Sequence, residues 1–147
     1  MRAQEIFTIG YEGREIDDFI SHLKSLKITR LIDVRELPLS RKRGFSKSQL
    51  KRRMESENIE YVHIRSLGSP SKIRHRLRED HNYDQFFSAF HNHLAVNTEA
   101  IARAHGYIRD GTNCLMCYER SSDRCHRSAV AQKIKEYDGN GLKIVHI

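Results

Sequence analysis

The sequence predicts an α/β fold: a single-domain, open, mostly parallel sheet of about five strands with helices on both faces. Three observations predict it. Short apolar runs ended by glycine or polar turns alternate with longer segments of helical apolar spacing along all 147 residues. Strands separated by helices pair in parallel, and a parallel sheet needs cover on both faces. Hydrophobic residues make up 38% and charged residues 31%, the balance of a globular chain with a real core. No repeat, low-complexity segment or linker divides residues 1–147. Together these describe a Rossmann-like layout.

Ile6 to Ile9 is a first strand, ended by Gly10 and the turn Tyr11-Glu12-Gly13-Arg14. Ile16, Phe19, Ile20, Leu23 and Leu26 recur at helical spacing, so Glu15 to Lys27 is an amphipathic helix. Leu31 to Arg35 is a second strand, and Asp33 and Arg35 share one of its faces. An acid and a base there are expected to pair or to aim into a cleft. Pro38 to Phe45 is a basic loop. Ser46 with Gln49 has capping-box spacing, opening a helix to Glu57. Ile59 to Ile64 is a third strand with Tyr61 and His63 on one face. Ser71 to Asp110 is mostly helical, with Phe86, Phe87, Phe90, Leu94 and Val96 as core and a new helix starting at Thr98. Cys114 to Tyr118 is a fourth strand, Cys125 to Tyr137 a helix, and Leu142 to Ile147 a closing strand.

Right-handed crossovers would lay the first three strands to one side and the last two to the other. The reversal then falls between the first and fourth strands, and ligands of open α/β sheets bind at such a point. Tyr11, Arg35, the basic loop and the turn after the fourth strand would share one cleft.

The net charge is +7, which permits acidic partners without proving them. Seven cations and no acid lie between Leu37 and Met54: Arg41, Lys42, Arg43, Lys47, Lys51, Arg52 and Arg53. Lys72, Arg74, Arg76 and Arg78 form a second run. Such runs are usually solvated faces, yet two of them favour a polyanionic partner. No apolar run approaches a membrane span and the first residues lack a signal peptide's apolar core, so a cytoplasmic protein with no membrane partner is expected. Three cysteines make no disulfide framework.

The stretch Leu115 to Arg127 concentrates the chemistry. Glu119, Arg120, Asp123 and Arg124 occupy the turn between strand and helix, and Cys125, His126 and Arg127 the first helical turn. Helix N-termini favour acids, so the cations there need a negative partner. Glu119, or Asp123 as N-cap, can supply it, and so can a bound phosphate or carboxylate. Cys125 beside Arg124, His126 and Arg127 is a candidate nucleophile, with His126 or Glu119 as acid or base. Adjacent helical residues face different ways, and a packed cysteine is the stronger reading. Cys114 and Cys117 have Cys-x-x-Cys spacing with Cys125 and His126 behind them. On a strand, however, 114 and 117 point to opposite faces, so no metal site is expected. Phe45 can stack a base above Arg41 and Arg43, but a hydrophobic staple is its default role.

TIGYEGR, LIDVRELPLSRKRGFS, IEYVHIRSLG, CLMCYERSSDRCHRS and the closing VHI together resemble the bacterial and archaeal family known as domain of unknown function 488. The likeness runs over almost the whole chain in one order and spacing. Many members carry His-Ser where this chain has Tyr11-Glu12, and Asp-Pro where it has Ser121-Ser122. The family has no assigned activity, so the resemblance implies the α/β fold and the site rather than a reaction. LIDVRE is also similar to rhodanese-like domains, whose anion loop has a Cys-to-Arg spacing one residue shorter than Cys117 to Arg124.

The leading expectation is an enzyme-like domain acting on a phosphate-bearing, nucleotide-like small molecule. Tyr11, Arg35, Ser40, Arg41, Arg124 and Arg127 would bind the anion, with Glu119, His126 and Cys125 as catalytic candidates and no cofactor. The alternative is a nucleic-acid-binding or processing domain using loops 41–53 and 72–78, with Arg41, Lys42, Arg43, Phe45 and Lys47 as contacts. A third reading is a protein-interaction module whose charged cleft is structural. The pattern does not give the oligomeric state.

Overall fold

The computed structural model describes residues 4–122 and 126–147. Its strands are β1 (Glu5–Gly10), β2 (Arg30–Asp33), β3 (Glu60–His63), β4 (Asn113–Cys117) and β5 (Lys143–His146), and they form one sheet. Every pairing is parallel. The helices are α1 (Ile16–Ser25), α2 (Lys47–Ser56), α3 (Ser71–Asp80), α4 (Tyr83–Val96), α5 (Thr98–Ile108) and α6 (His126–Asp138). A short 3-10 turn covers Arg65–Leu67.

Alternation along the strands sorts the helices onto two faces. Phe7, Leu31, Cys114 and Met116 pack with Phe19, Leu23, Leu50 and Met54 of α1 and α2. Their neighbours Ile6, Ile32 and Leu115 pack with α4, α5 and α6 through Phe90, Ala104, Val130 and Ile134. Cys114 and Cys117 therefore sit on opposite faces, as an odd separation on a strand requires.

The strand order is β3-β2-β4-β1-β5. This corrects the expected order, because β4 lies between β1 and β2 rather than beyond β1. Register shows it directly: Cys114 is opposite both Phe7 and Leu31. A crossover helix packed along the strands is about 10–12 Å wide with its side chains, whereas adjacent strands are about 4.8 Å apart. Such a helix reaches the next strand or the one beyond, and apolar periodicity does not distinguish them. The chain moves one way across the sheet under α1 and α2, then returns under α4 to α6, as right-handed crossovers demand. The carboxyl ends of β1, β4 and β2 are now adjacent.

Two local expectations also change. Ser46 precedes α2 but makes no side-chain cap; its hydroxyl accepts from Ser40 N and donates to Ser40 O, both at 3.0 Å. Gln49 turns back to accept from Gly44 N at 3.2 Å, so the pair closes the preceding loop. Val96 is 81% exposed, because Phe86, Phe90 and Leu94 recur every four residues and it falls off their stripe. The start of α4 is capped by Asn82, whose Oδ1 accepts from Gln85 N at 3.1 Å.

Gly10 ends β1 where the loop after β4 crosses it. A Cβ there would lie 1.7 Å from the Glu119 carbonyl oxygen. Two backbones approach more closely than any side chain allows. Gly10→Ala must push the Glu119 loop away, and an overpacking loss of roughly 1–3 kcal/mol is expected. Urea unfolding of the variant beside the wild type measures it.

Candidate functional site

β2 ends in a buried ion pair. Asp33 is fully buried; its Oδ1 accepts from Arg35 Nε at 2.9 Å and from the Arg35 backbone N at 3.1 Å. Its Oδ2 accepts from Arg35 Nη2 at 2.7 Å and from the Tyr61 hydroxyl at 2.5 Å. Both oxygens are thus saturated, as a desolvated carboxylate requires. Burial opposes the Arg35 charge, but the Asp33 hydrogen bonds and charge outweigh it and raise the pKa above the usual value. Burial and the Asp33 charge push the Tyr61 phenol up in turn. Arg35 Nη1 donates to the Tyr11 hydroxyl at 3.2 Å. His63 Nε2 donates to the Arg35 carbonyl at 2.7 Å. Residues from β1, β2 and β3 are fixed around one guanidinium.

An aromatic column supports Tyr11. Phe45 stacks on it with ring centres 4.5 Å apart, Phe19 meets Phe45 edge-on at 5.1 Å, and Tyr118 meets Tyr11 edge-on at 5.3 Å. Phe45 has no exposed surface, so it braces the core under Tyr11 and offers no face to a base. Among the other nucleic-acid candidates, Arg41, Arg43 and Lys47 are exposed, while Lys42 pairs with Glu15 at 3.6 Å.

The loop from β4 to α6 is held from beneath by Arg127, which is 1% exposed. Its Nε donates to Thr8 Oγ1 at 3.2 Å, its Nη1 to Cys117 Sγ at 3.3 Å and to the Glu119 carbonyl, and its Nη2 to the Arg120 carbonyl at 3.1 Å. Arg127 therefore points under the loop, and it does not line the cleft as an anion-binding residue would. Among the described residues its hydrogen-bond partners include backbone carbonyls, a hydroxyl and a sulfur, and the Glu119 charge also acts on it. The next contact pins α6 to β2: His126 Nε2 donates to the Val34 carbonyl at 2.8 Å. A carbonyl only accepts, so Nε2 carries the proton. Burial pushes the imidazole down to about 4, and Arg74 and Arg127 add to this, so His126 is neutral at pH 7.

A cleft of about 490 Å³ opens over these strand ends. Tyr11, Arg35, Ser40, Glu119 and His126 from the sequence reading line it. Arg41 and Arg127 do not, and Arg124 and Cys125 lie outside the described residues. Periodicity missed the far wall, α3, which brings Arg74, Leu77 and Arg78. The sequence reading held the run 72–78 as a nucleic-acid contact of the alternative, and because α3 buries none of its residues fully, nothing in its pattern placed it beside the cleft. Arg74 pairs with Glu36 at 3.2 Å and also donates to the Ser69 carbonyl. Burial raises the Glu119 carboxyl above its usual range; the charge of Glu12 adds to this, and those of Arg127 and Arg74 oppose it.

A ligand atom each from Cys117, Glu119 and His126 lie within 4.8 Å of one another. Arg127 Nη1 stands on that sulfur and His126 has given Nε2 to Val34, so a cation there would face a guanidinium. The donor set fits a metal poorly.

A family model described as domain of unknown function DUF488 matches residues 15–134. The chain belongs to that family. Comparison with curated proteins gave no match, and comparison with solved structures gave none. The DUF488 match takes in Arg35, Ser40, Arg74, Glu119 and His126, and starts after Tyr11. No helix among the described residues is long and apolar enough to cross a membrane.

His126 makes stability pH-dependent. The unfolded side chain takes a proton below its ordinary pKa of 6.5, whereas the folded one resists until about 4. The unfolded state binds more protons between these values, so stability falls as pH drops from 6.5 toward 4, by on the order of 3 kcal/mol from this residue. His126→Gln, which keeps an amide donor for Val34, should flatten that part of the profile. Urea midpoints across pH 4–7 for both proteins provide the check.

Proposed function

We propose that the cleft binds a phosphate-bearing, nucleotide-like small molecule and that Glu119 exchanges a proton with it. The observation that carries this is the composition of the rim and floor together. Leu37 is 52% exposed, Leu39 72% and Tyr118 48%, and all three line a cleft that also presents Arg35, Arg74 and Arg78. Large apolar side chains left in water beside three guanidiniums suit a ligand with a flat apolar part and an anionic part. Of the five N–H donors of Arg35, three are committed to Asp33 and Tyr11. The other two are available to an anion. Arg78 has no hydrogen bond or ion pair among the described residues, and Arg74 can share its fork between Glu36 and a phosphate.

Glu119 suits proton transfer because its raised pKa brings it nearer neutrality than a solvated carboxyl. His126 is neutral, so it leaves the anion site's charge to the arginines and keeps the wall beside Glu119 rigid.

Calorimetry with inorganic phosphate and with nucleoside monophosphates tests this reading. A monophosphate should bind more tightly than phosphate alone. Arg78→Ala should weaken it about tenfold, equivalent to about 1.4 kcal/mol, and Glu119→Gln should leave binding intact while removing any turnover found. If no phosphorylated compound binds, or if Arg78→Ala binds as the wild type does, the reading is wrong.

A further inference from the structure

A second cavity adjoins the first. It holds about 350 Å³ and is lined by Glu36, Ile64, Arg65, Ser66, Gly68, His93 and Arg103. Glu36 also lines the main cleft, as does Ser69, the chain neighbour of Gly68. The partition between the two spaces is therefore one side chain and one turn of backbone. That turn lies against β2's extension so closely that a Cβ on Gly68 would come within 2.1 Å of Glu36 N.

The charge of this second space is unbalanced. Arg65 comes from the 3-10 turn after β3 and Arg103 from α5; both are exposed, and neither has a hydrogen bond or ion pair among the described residues. The carboxylate between them and the main cleft, Glu36, is already paired with Arg74. His93 uses Nε2 on the Ser66 carbonyl at 2.8 Å, which holds the turn in place. Two guanidiniums from separate elements converge on one concave surface with no acid of their own. That arrangement suits a phosphate, which a guanidinium grips through two parallel hydrogen bonds.

We propose that the ligand of the main cleft extends past Glu36 as a phosphodiester chain, so that the site takes the end of a short single-stranded nucleic acid. This rests on the nucleotide reading above and deepens it. The terminal nucleotide occupies the main cleft, and the next phosphates lie on Arg65 and Arg103. A single strand fits better than a duplex, because the exposed faces of Tyr118, Leu37 and Leu39 serve unpaired bases, whereas a duplex keeps its bases stacked inside. The second cavity lines up with the first through Glu36, which gives the strand a path rather than two isolated patches.

Thymidine monophosphate, a single-stranded thymidine tetranucleotide and a matching duplex separate the possibilities. The tetranucleotide should bind at least tenfold more tightly than the monophosphate, with the duplex weaker than the strand. The double variant Arg65→Glu/Arg103→Glu should lose that gain and bind the monophosphate as the wild type does. Its plot of log affinity against log salt should be shallower by about 1.4, for two single-strand phosphates. The milder Arg65→Gln/Arg103→Gln should fall between, and circular dichroism confirms that each variant is folded. If the monophosphate binds and the tetranucleotide gains nothing, or if the gain survives charge reversal, the extension is wrong and the nucleotide reading stands. A duplex that binds as well as the strand overturns the single-strand assignment. Failure of all three probes overturns both readings.

Discussion

The Asp33–Arg35 pair is the contact on which the upper end of the sheet depends. A carboxylate with no solvent exposure is costly unless each oxygen is occupied, and here each accepts two hydrogen bonds. The partners bring in β3 through Tyr61 and the Arg35 side chain itself, which then reaches β1 through Tyr11. Breaking such a pair from one side leaves a buried charge uncompensated, typically at a cost of about 3–5 kcal/mol. The pair is therefore less a source of net stability than a device of position. It holds one face of Arg35 rigid where the residue lines the cleft.

The strand order gives that position its meaning. With β4 between β1 and β2, the loop after β4 leaves the sheet beside both Tyr11 and Arg35. Tyr11 N donates to the Cys117 carbonyl at 3.1 Å and Glu12 N to the Tyr118 carbonyl at 2.8 Å, so the two loops continue the ladder past the strands. Glu119 is delivered to the cleft by this pairing. At the opposite end of the sheet Arg30 plays a purely structural part, donating to Glu60 at 2.9 Å, Asn113 at 2.9 Å and the Asp110 carbonyl at 2.7 Å. Each of its bonds is to the protein's own acceptors. Arg78, by contrast, has none among the described residues and lines the cleft.

Much of this was legible in the sequence, and what was not has physical causes. Alternation in Arg30 to Arg35 placed Asp33 and Arg35 together because a strand's period is two whatever surrounds it. Tyr61 and His63 followed for the same reason, one bonding Asp33 and the other the Arg35 carbonyl. The sheet order was not legible, since crossovers of equal length reach either neighbouring position. Arg74 and Arg78 entered the sequence reading only within the basic run 72–78, as contacts of the nucleic-acid alternative and not as a wall of the cleft, because α3 has no buried stripe to orient it. Ser46 and Gln49 have capping-box spacing, but the hydroxyl found nearer partners in Ser40. A local motif gives way when the loop before the helix folds back on it.

Two of the groups expected to crowd the start of α6, His126 and Arg127, find partners within the protein. Positive charge at a helix N-terminus is unfavourable and invites an anion. His126 escapes the penalty by staying neutral, with its proton on Nε2 and directed at the Val34 carbonyl. Arg127 turns away from the helix axis and spends its donors on Thr8 and on the carbonyls of Glu119 and Arg120. The carbonyl dipoles and the Glu119 charge support the guanidinium, while burial lowers its pKa. The loop that carries Glu119 is thereby clamped from below by a residue that touches no ligand. The guanidiniums that line the cleft are those of Arg35, Arg74 and Arg78. The opposing terms on the Glu119 carboxyl, burial on one side and the charges of Arg127 and Arg74 on the other, are the ones a bound anion would shift. On the proposed reading, a phosphate that neutralised Arg74 would remove one of the charges that hold this pKa down, and its binding would favour the protonated form of Glu119.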